Sequence, residues 1–338
     1  MRSARIALAH LPTPIERHPR LSHALGIDLW IKRDDATLGA ESGNKIRKLE
    51  FLLADAQARG ADVLVTCGGI QSNHARATAL LGARLGMRTV LLLRTTNPID
   101  EARASIDAGP QGNVLLDRLA GAEIRLITPA QYRERTALLA ETARELEQKG
   151  AVPYVIPEGG SNGLGSLGYV RAMHEIRGQL DLGLGGGRPF DCIVHACGSG
   201  GTAAGIVLGA SKHEVAGEVR AMAVCDDAAT FQARIAAIVD EMRALEPSLG
   251  HAARLIVDDT AKGPAYGIAT DAQKKVVVDV ARLCGLVLDP VYTGKAFAGL
   301  WSICERGELA GKSVLFIHTG GLPGVLAQGN ELAAAARC

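Results

Sequence analysis

Short apolar runs alternate along the chain with segments of helical spacing, and this alternation constrains the fold more than any other feature of the sequence. The apolar runs predict strands at residues 29–32, 63–66, 89–93, 124–127, 154–156, 192–195, 222–225 and 314–317. The spacing between them predicts helices at 49–58, 75–85, 137–148, 271–283 and 295–305. Continuous apolar strands separated by helices are typical of a parallel sheet covered on both faces. We therefore expect an α/β protein, and a length of 338 residues suits two packed domains better than one.

Composition limits the classes of partner. The chain has 37 Lys+Arg against 36 Asp+Glu, so it offers no polycationic surface for a phosphate backbone, and no nucleic-acid partner is expected. No apolar run approaches the roughly 20 residues that cross a bilayer, and the N-terminal apolar stretch is too short for a signal peptide, so no membrane partner is expected either. The 7 cysteines form no Cys-x-x-Cys pair. No metal site is therefore expected, and buried, inert thiols from Cys67 to Cys338 fit a cytoplasmic protein.

The first candidate site is the glycine-rich segment Gly198 to Gly205, directly after a predicted strand. Small residues let the backbone turn sharply, and N–H groups at the start of the next helix can converge on a phosphate. The segment also matches the dinucleotide fingerprint G-x-G-x-x-[GA], with acidic residues at a suitable distance for a ribose contact. These acidic residues are Glu214, Glu218 and Asp226. At this point NAD(P) stays open as the phosphate-bearing ligand.

The second candidate is the basic turn from Ser42 to Glu50. Lys45 follows a Gly-Asn turn at the start of a helix, where a cation is unfavourable because the helix N-terminus carries partial positive charge. A buried lysine is neutral and nucleophilic and can form a Schiff base. The residues alone leave open whether Lys45 has this use or whether it forms an ordinary solvated turn with Arg47 and Lys48.

The third candidate is the polar run Gln71-Ser72-Asn73-His74, which follows a strand and two glycines. Ser72 or Asn73 can cap the next helix, but a cap accounts for only one of these side chains. A helix N-terminus that presents polar side chains suits a carboxylate.

Together these segments resemble the pyridoxal-phosphate (PLP) enzymes of the tryptophan-synthase-β fold type, and within them the family of D-cysteine desulfhydrase and 1-aminocyclopropane-1-carboxylate deaminase. The matching segments stand in family order along most of the chain. They are Ile31–Asp35, Gly43–Phe51, Gln71–His74, Gly159–Asn162 with Gly165 to Gly168, Gly198–Thr202, Ala265–Gly267, Leu288–Lys295 and His318–Gly321. The resemblance implies a fold type II enzyme with PLP in a cleft between two domains, each an open, mostly parallel sheet flanked by helices. The large domain is expected at residues 1–49 plus 160–338 and the small domain at 50–159, and a homodimer with a small amino-acid substrate is implied.

The resemblance also implies roles for single residues. Lys45 would hold PLP as a Schiff base and move the proton at Cα, and Asn73 would hydrogen-bond the 3′-oxygen of the ring. Ser72 would act beside the substrate carboxylate and Cα, and Tyr266 and Tyr292 would line the pocket and assist proton transfer near the leaving group. The other implied contacts are Gly198, Ser199, Gly200, Gly201 and Thr202 at the 5′-phosphate, Thr319 at the cofactor, and Gln71, Asn73, His74 and Thr293 at the substrate.

Two positions separate the reactions of this family. Its deaminases carry a glutamate after the second tyrosine and a leucine before the last Gly-Gly pair, whereas this chain has Thr293 and Thr319. A carboxylate opposite the pyridine nitrogen favours its protonation and strengthens the electron sink, and a hydroxyl does so less. Because β-elimination of a good leaving group needs only the weaker sink, we expect conversion of D-cysteine to pyruvate, ammonia and hydrogen sulfide.

Several alternatives stay open. L-cysteate sulfo-lyase belongs to the same family, and its substrate carries a second anion for which Arg76 and Arg94 are candidate partners. 1-Aminocyclopropane-1-carboxylate deaminase is a further alternative. From other classes, an NAD(P)-dependent oxidoreductase would use the Gly198 segment for pyrophosphate, and a catalytically silent amino-acid-binding homologue would keep PLP without turnover.

Overall fold

A computed structural model describes residues 3 to 337, and the thiol predicted to be buried at Cys338 lies outside that range. The strands are β1 (Ile15–Arg17), β2 (Asp28–Lys32), β3 (Val63–Gly69), β4 (Arg88–Arg94), β5 (Glu123–Ile127), β6 (Pro153–Val155), β7 (Phe190–Cys197), β8 (Ala216–Ala223), β9 (Arg254–Asp258) and β10 (Ser313–Ile317). The helices are α1 (Pro19–Leu25), α2 (Lys45–Ala58), α3 (Asn73–Arg84), α4 (Ile99–Ala108), α5 (Gly112–Leu119), α6 (Pro129–Arg133), α7 (Arg135–Gln148), α8 (Gly163–Asp181), α9 (Gly201–Lys212), α10 (Ala228–Leu245), α11 (Asp271–Cys284), α12 (Thr293–Glu305), α13 (Leu322–Ala327) and α14 (Gly329–Ala335).

The strands form two sheets. A 6-stranded sheet has the order β1-β2-β10-β7-β8-β9, and a 4-stranded sheet has the order β5-β4-β3-β6. Every pairing is parallel except β1 with β2. The smaller sheet uses only residues 63–155, whereas the larger sheet combines strands from both ends of the chain. The predicted α/β class with two mostly parallel sheets is confirmed, and the domain boundaries after residues 49 and 159 stay a prediction.

The predicted elements mostly coincide with observed ones. Each predicted helix overlaps an observed helix, and each predicted strand overlaps an observed strand. The strand predicted at 222–225 is shifted, because β8 ends at Ala223 and only its last residues form a continuous buried run. The sequence missed β1 and β9, which lie at the edges of the larger sheet and are largely half-buried or exposed, so they lack a continuous apolar run. In the described part of the chain, no helix is long and apolar enough to cross a membrane.

Two glycines let the helices α2, α8 and α9 approach one another closely. A Cβ at Gly168 of α8 would overlap the carbonyl oxygen of Arg47 in α2, and a Cβ at Gly205 of α9 would overlap that of Ser166 in α8. The backbones of α2, α8 and α9 therefore pack without side chains between them at these points. This packing fixes the first turn of α2 relative to α9.

A buried ionic network anchors the same turn of α2. The Arg47 side chain is 1% exposed, and its guanidinium donates to Asp34 at 2.7 and 2.8 Å and to Glu175 at 2.9 and 3.0 Å. Tyr169 donates to Asp34 at 2.7 Å, and Lys32 pairs with Glu175 at 2.6 Å. Burial raises the pKa of Asp34, but the charge and hydrogen bonds of Arg47 outweigh it and leave the pKa lowered. Within the basic turn, Arg47 and Lys48 are thus buried, with Arg47 in ion pairs, and Lys45 is half-buried, so the turn is not a solvated one.

The prediction that the thiols are buried is confirmed for only some cysteines of the described range. Cys67, Cys192 and Cys197 are buried, whereas Cys225, Cys284 and Cys304 are half-buried. Burial raises the pKa of Cys67 and of Cys197 to about 12. Because the thiolate is the reactive form, these buried thiols are inert at neutral pH.

Candidate active site

A cleft with about 660 Å³ of empty space, counted to its open mouth, lies where residues of the two sheets face each other. Predicted residues that line it are Lys45, Ser72, Asn73, His74, Gly198, Ser199, Gly200, Thr202, Tyr266, Tyr292 and Thr319. Gln71, Gly201 and Thr293 lie just outside its wall. The segments after β3 and β7 meet here because the carboxyl ends of parallel strands open towards ligands.

Lys45 is the first residue of α2, as the sequence predicted. Burial lowers the pKa of its amine to about 8, and the carboxylate of Glu158 opposes this shift only in part. The partial positive charge of the helix N-terminus acts in the same direction as burial. A fraction of such an amine is neutral near pH 7, and the neutral form is nucleophilic and accepts protons.

The turn after β7 forms a cradle for an anion. Gly200, the N-cap of α9, has no capping side chain and adopts φ of 86°, which glycine adopts without strain. The first N–H groups of α9 therefore lack a capping partner. Asn44 Nδ2 donates to Thr202 Oγ1 at 3.1 Å, so the hydroxyl proton of Thr202 can be directed to a ligand. Free donors and the dipole of α9 together favour a phosphate here.

Lys48 places a buried amine behind this cradle. Its side chain is fully buried, and Nζ donates to the carbonyl of Gly159 at 3.1 Å and to Ser161 Oγ at 3.0 Å. Ser161 Oγ lies 2.8 Å from Ser199 Oγ, which joins the two glycine-containing turns. A Cβ at Gly201 would come within 2.8 Å of Lys48 Nζ. Burial lowers the pKa of Lys48 well below its usual value, and an anion in the cradle would favour its charged form.

Ser72 and Asn73 begin α3 and share the cleft wall. Ser72 Oγ accepts the N–H of Ala75 at 3.2 Å, so Ser72 is the cap that the sequence allowed. Asn73 Oδ1 accepts Nδ2 of Asn113 at 3.1 Å, and that same Nδ2 donates to the carbonyl of Gln71 at 3.0 Å. With its oxygen engaged on this side, the amide of Asn73 presents its Nδ2 donor to the cleft.

Gln71 supports this arrangement from outside the cleft. Its Oε1 accepts the backbone N–H of Asn113 at 2.8 Å, and its Nε2 donates to the carbonyl of Gln111 at 3.1 Å. Gln71 therefore holds the segment that begins α5 against the start of α3.

His74 is neutral and its tautomer follows from its partners. The Thr66 hydroxyl donates to the carbonyl of Ile156 at 2.8 Å, so its oxygen accepts the Nε2–H of His74 at 2.9 Å. Nδ1 then carries a lone pair, and this buried atom has no partner among the described residues. Burial, with the nearby lysine charges, lowers the pKa of His74 well below its usual value. Nδ1 of His74 can thus accept a hydrogen bond, but the low pKa makes the ring a weak base.

Tyr266 and Tyr292 form a pair in the cleft wall. Their hydroxyl oxygens are 2.6 Å apart, and their rings meet edge-on with centroids 6.0 Å apart. The pKa of Tyr266 is raised to about 12, because burial raises it by more than the hydrogen bond with Tyr292 lowers it. Burial raises the pKa of Tyr292 well above its usual value. Both hydroxyls are therefore protonated at neutral pH.

Each tyrosine is held by a buried charged residue. Lys295 Nζ donates to the carbonyls of Val224, Lys262 and Ala265 at 3.0, 2.7 and 2.8 Å, which secures the loop that carries Tyr266. The Asp289 carboxylate accepts the N–H groups of Val291, Tyr292 and Thr293 at 3.0, 2.9 and 2.8 Å, which fixes the turn before α12. The hydroxyl of Thr293 also donates to Asp289 at 2.7 Å, so Thr293 secures this turn from outside the cleft wall.

Thr319 lines the cleft and contacts the turn that carries Lys45. Its carbonyl accepts the N–H of Asn44 at 3.1 Å. A Cβ at Gly43, whose φ is 130°, would lie 3.1 Å from the same oxygen, so a side chain there would be both strained and crowded.

Several residues that shape the site were not predicted from the sequence. Glu158 lines the cleft, accepts the Tyr132 hydroxyl at 2.5 Å and pairs with Arg135 at 3.0 Å. Lys295 ends one matched family segment and Glu158 directly precedes another, and those positions were a signal that could have been used. Asn113 carried no signal, because it lies on a separate helix and acts only through Asn73.

The chain matches one protein-family model and is similar in sequence to several known proteins. The family model described as "Pyridoxal-phosphate dependent enzyme" matches residues 6–320. The chain is 44% identical over 336 residues to the mitochondrial bifunctional D-cysteine desulfhydrase/1-aminocyclopropane-1-carboxylate deaminase of Arabidopsis thaliana, which covers 97% of this chain and 80% of that protein. It is 41% identical over 327 residues to a D-cysteine desulfhydrase of Yersinia pestis, with 96% and 95% covered. It is also 41% identical over 329 residues to a putative 1-aminocyclopropane-1-carboxylate deaminase of Thermotoga maritima, with 97% and 99% covered.

Solved structures agree with this placement. A crystal structure of an ACC deaminase homologue superposes with a TM-score of 0.85 at 37% identity, covering 99% of this chain and 97% of that one. A fungal L-serine ammonia-lyase from Rhizomucor miehei has a TM-score of 0.68 at 18% identity, covering 97% and 99%, and shows a shared fold only.

Proposed function

Because this chain belongs to the family of pyridoxal-phosphate dependent enzymes, we propose that it is a carbon–sulfur lyase that performs α,β-elimination on a small β-substituted amino acid. The enzyme class and the cofactor PLP follow from the family. D-Cysteine is the substrate we propose first, with pyruvate, ammonia and hydrogen sulfide as products. The observation that supports this most is that a lysine amine of lowered pKa and a tyrosine hydroxyl pair line one cleft.

The residues of the cleft fit PLP. The free N–H groups of α9 with Thr202 suit its phosphate, and so does the buried amine of Lys48, whose charged form an anion favours. The donor that Asn73 presents suits the ring 3′-oxygen, and the amine of Lys45 suits the aldehyde carbon. When bound, PLP supplies an electron sink that stabilises negative charge at the substrate Cα. We propose that Thr202, Lys48, Asn73 and Lys45 hold the cofactor.

The chain's own residues then divide the work of elimination. Lys45, whose pKa is about 8, accepts the Cα proton. Ser72 and the N-terminal end of α3 face the substrate carboxylate, since a helix N-terminus favours an anion. The hydroxyl pair of Tyr266 and Tyr292 donates a hydrogen bond to the departing sulfur, and the bond between the two hydroxyls orients the donor. A thiol has a pKa of about 8.5, so the leaving sulfur needs little protonation.

Thr319 supports elimination over ring opening as the main reaction. It lines the cleft where the deaminases of the family carry a leucine, and it is a neutral hydroxyl. A neutral partner leaves the pyridine nitrogen less protonated, which suffices for a good leaving group. The 1-aminocyclopropane-1-carboxylate deaminase activity is our second candidate, because relatives at 44% and 41% identity carry that name.

A parallel assay of keto-acid release tests the proposal. D-Cysteine, L-cysteine, L-cysteate, 3-chloro-D-alanine and 1-aminocyclopropane-1-carboxylate are offered to the holoenzyme and the products are identified. We expect pyruvate and sulfide from D-cysteine with kcat/KM of order 10⁴ M⁻¹s⁻¹ or more. Lys45→Ala should abolish release, whereas Lys149→Ala, which changes an exposed lysine on the smaller sheet's side, should not. Release of 2-oxobutyrate as the main product, or no keto acid from any substrate, would refute the proposal.

Two further expectations concern the whole molecule. We propose a homodimer because the family resemblance implies one, and a cytoplasmic location because the scattered cysteines fit a reducing compartment. Sedimentation of the purified holoenzyme measures the first, and fractionation of the source cells measures the second.

A further inference from the structure

The cleft wall contains a single carboxylate, that of Glu158, among the residues that the structure describes. Glu158 follows β6 and begins a short helical turn that ends at Gly160. Its side chain is 30% exposed and lies in the same wall as Lys45. No step of the proposed elimination uses this carboxylate. A charge in this position acts on proton transfers in the cleft, because charges are screened weakly where little water is present.

Both oxygens of the Glu158 carboxylate are held by residues that precede β6. Oε1 accepts the hydroxyl of Tyr132 at 2.5 Å, and Oε2 pairs with Nε of Arg135 at 3.0 Å. Burial and the charge of Glu158 raise the pKa of Tyr132 well above its usual value, so this hydroxyl stays protonated and donates. Arg135 lies over the ring of Tyr132 at 5.1 Å and donates to the Tyr132 carbonyl at 3.2 Å. The three side chains therefore form one connected cluster with a fixed carboxylate orientation.

This cluster turns its negative charge towards the cleft and its positive charge away from it. Glu158 lines both the cleft and a neighbouring cavity between α7 and α10, whereas Arg135 lines only that cavity. The other charged residue of the cavity wall, Arg234 of α10, pairs with Asp226 at 2.8 Å. The ion pair of Glu158 with Arg135 thus leaves a net negative field at Lys45. In agreement, Glu158 is the main influence that raises the pKa of Lys45 against the effect of burial.

The backbone beside Glu158 is tied to the anion cradle. Gly159 has φ of 66°, which glycine adopts without strain, and a Cβ there would overlap Ser199 Oγ. The carbonyl of Gly159 accepts Nζ of Lys48 at 3.1 Å. Because the turns that form the cradle also hold this segment, the carboxylate keeps its place relative to the cofactor site.

The other ionisable groups around Lys45 and Glu158 supply no second negative charge. Burial lowers the pKa of the histidine among them and raises the pKa values of the thiols and the tyrosine hydroxyls, so these groups are neutral between pH 7 and 8. They are His74 of α3, Cys67 of β3, Cys197 of β7, Cys225 after β8, and Tyr266 and Tyr292 of the cleft wall. Lys48, one turn further along α2, is an amine whose pKa burial lowers well below its usual value.

We propose that Glu158 is a positioning residue that acts through Lys45 and holds on its amine the proton that Lys45 takes from the substrate Cα. The inference rests on the proposed function, since that function makes Lys45 the acceptor. In this step the Cα–H bond breaks, its electron pair stays with the substrate, and the proton completes the ammonium group of Lys45. A buried ammonium group is unfavourable unless an opposite charge faces it, so Glu158 stabilises the charge where it forms.

Two variants that break the same ion pair separate a charge effect from a structural one. The rate at which the apoprotein combines with PLP is followed by absorbance from pH 6 to 10, and the midpoint for the parent protein is expected near the Lys45 pKa of about 8. Glu158→Gln keeps the shape and removes the charge, so it should lower the midpoint by about half a unit or more. Arg135→Gln leaves the carboxylate unopposed and should raise the midpoint. Glu145→Gln removes a carboxylate of α7 that lies outside the cleft wall and should leave the midpoint unchanged.

The direction of the two shifts decides the outcome. Shifts of the same sign in Glu158→Gln and Arg135→Gln would mean that only the loss of the ion pair matters, and this result would overturn the inference. An unchanged midpoint in Glu158→Gln would overturn it as well. Thermal unfolding of each apoprotein shows whether the variants compared are equally folded.

Kinetics of the holoenzyme then connects the charge to proton transfer. On its high-pH plateau, kcat for D-cysteine should fall at least about twofold in Glu158→Gln, because a less basic amine accepts the Cα proton more slowly. Arg135→Gln should stay at or above the parent value. A plateau that Glu158→Gln leaves unchanged overturns the inference and leaves the proposed elimination intact. Opposite shifts of the midpoint in a protein that releases pyruvate from no substrate would refute the proposed function and support the action of Glu158 on Lys45.

Discussion

Asn113 is remote in sequence from every residue predicted for the site, and its replacement by aspartate tests how the amide of Asn73 is oriented. Its Nδ2 donates to Asn73 Oδ1 at 3.1 Å and to the carbonyl of Gln71 at 3.0 Å. Aspartate has the same shape but no N–H, so a carboxylate oxygen would face Oδ1 of Asn73. The amide of Asn73 would then turn over to donate to the aspartate, and its oxygen would face the cleft, where we propose the 3′-oxygen of PLP.

The expected loss of PLP affinity follows from the hydrogen bond that Asn73 would no longer donate to the 3′-oxygen. A hydrogen bond to a charged acceptor contributes about 1.5–3 kcal/mol, so Asn113→Asp should weaken PLP affinity about 10- to 150-fold. Asn113→Ala removes the restraint without forcing the amide to turn. It should cost about 0.5–1.5 kcal/mol, or about two- to tenfold. The aspartate should therefore be worse than the smaller alanine, although it fills the fully buried position better.

Titration of the apoprotein with PLP, followed by absorbance, measures these affinities. Asn97→Asp, in an exposed loop, is the matched control and should bind PLP like the parent protein. Thermal unfolding of each apoprotein separates a folding defect from a binding defect. A folded Asn113→Asp protein that binds PLP as tightly as Asn113→Ala would refute the proposed orientation of Asn73.

Other perturbations have equally direct outcomes. Lys295→Met should leave carbonyls of the Tyr266 loop without their hydrogen-bond donor. We expect this to lower kcat about tenfold or more with a smaller change in KM. Steady-state kinetics that match the parent protein would contradict this role of Lys295. Arg47→Met should destabilise the protein by about 3–5 kcal/mol in urea unfolding, because it leaves buried carboxylates unpaired, and a loss below about 1 kcal/mol would contradict it. Because the pKa of Asp34 is lowered in the folded state, its carboxylate stabilises the folded protein above about pH 4, and this stabilisation is lost as the pH falls through the pKa of the folded state. The difference between the urea midpoints of the parent protein and Arg47→Met should therefore shrink in acid. The rate at which the apoprotein combines with PLP should rise with pH and level off above about 8, where Lys45 is neutral, and a flat profile from pH 6 to 9 would count against that amine as the acceptor.

Much of the site could be predicted because its residues lie in short segments directly after strands. Ser72 and the turn after β7 are such cases, whereas Lys45 was marked by its place after a Gly-Asn turn at a helix start; each lines the cleft. Carboxyl ends of parallel strands open to the same edge, so a local pattern is enough to bring such segments together. Edge strands were harder, because β1 and β9 are half exposed and carry no continuous apolar run.

Contacts between distant segments could not be predicted. Asn113 reaches Asn73 from another helix, and Lys48 joins the turns at Gly159 and Ser161. Hydrogen bonds are directional and short, so their partners depend on how the helices pack and not on sequence spacing. The basic turn showed this most clearly, since the residues alone left open whether it was solvated or buried.

The amino-acid sequence by itself determined the α/β class, the family resemblance, and the segments that carry Lys45 and the glycine-rich turn after β7, because hydrophobic periodicity and glycine turns are local properties of the chain. Only the tertiary structure decided which charges are buried, which amide faces the cleft, and that Arg94 stands between two tyrosine rings without a carboxylate partner among the described residues. Burial, pKa and hydrogen-bond orientation depend on neighbours from all parts of the chain, and those neighbours are defined only once the helices and sheets have packed.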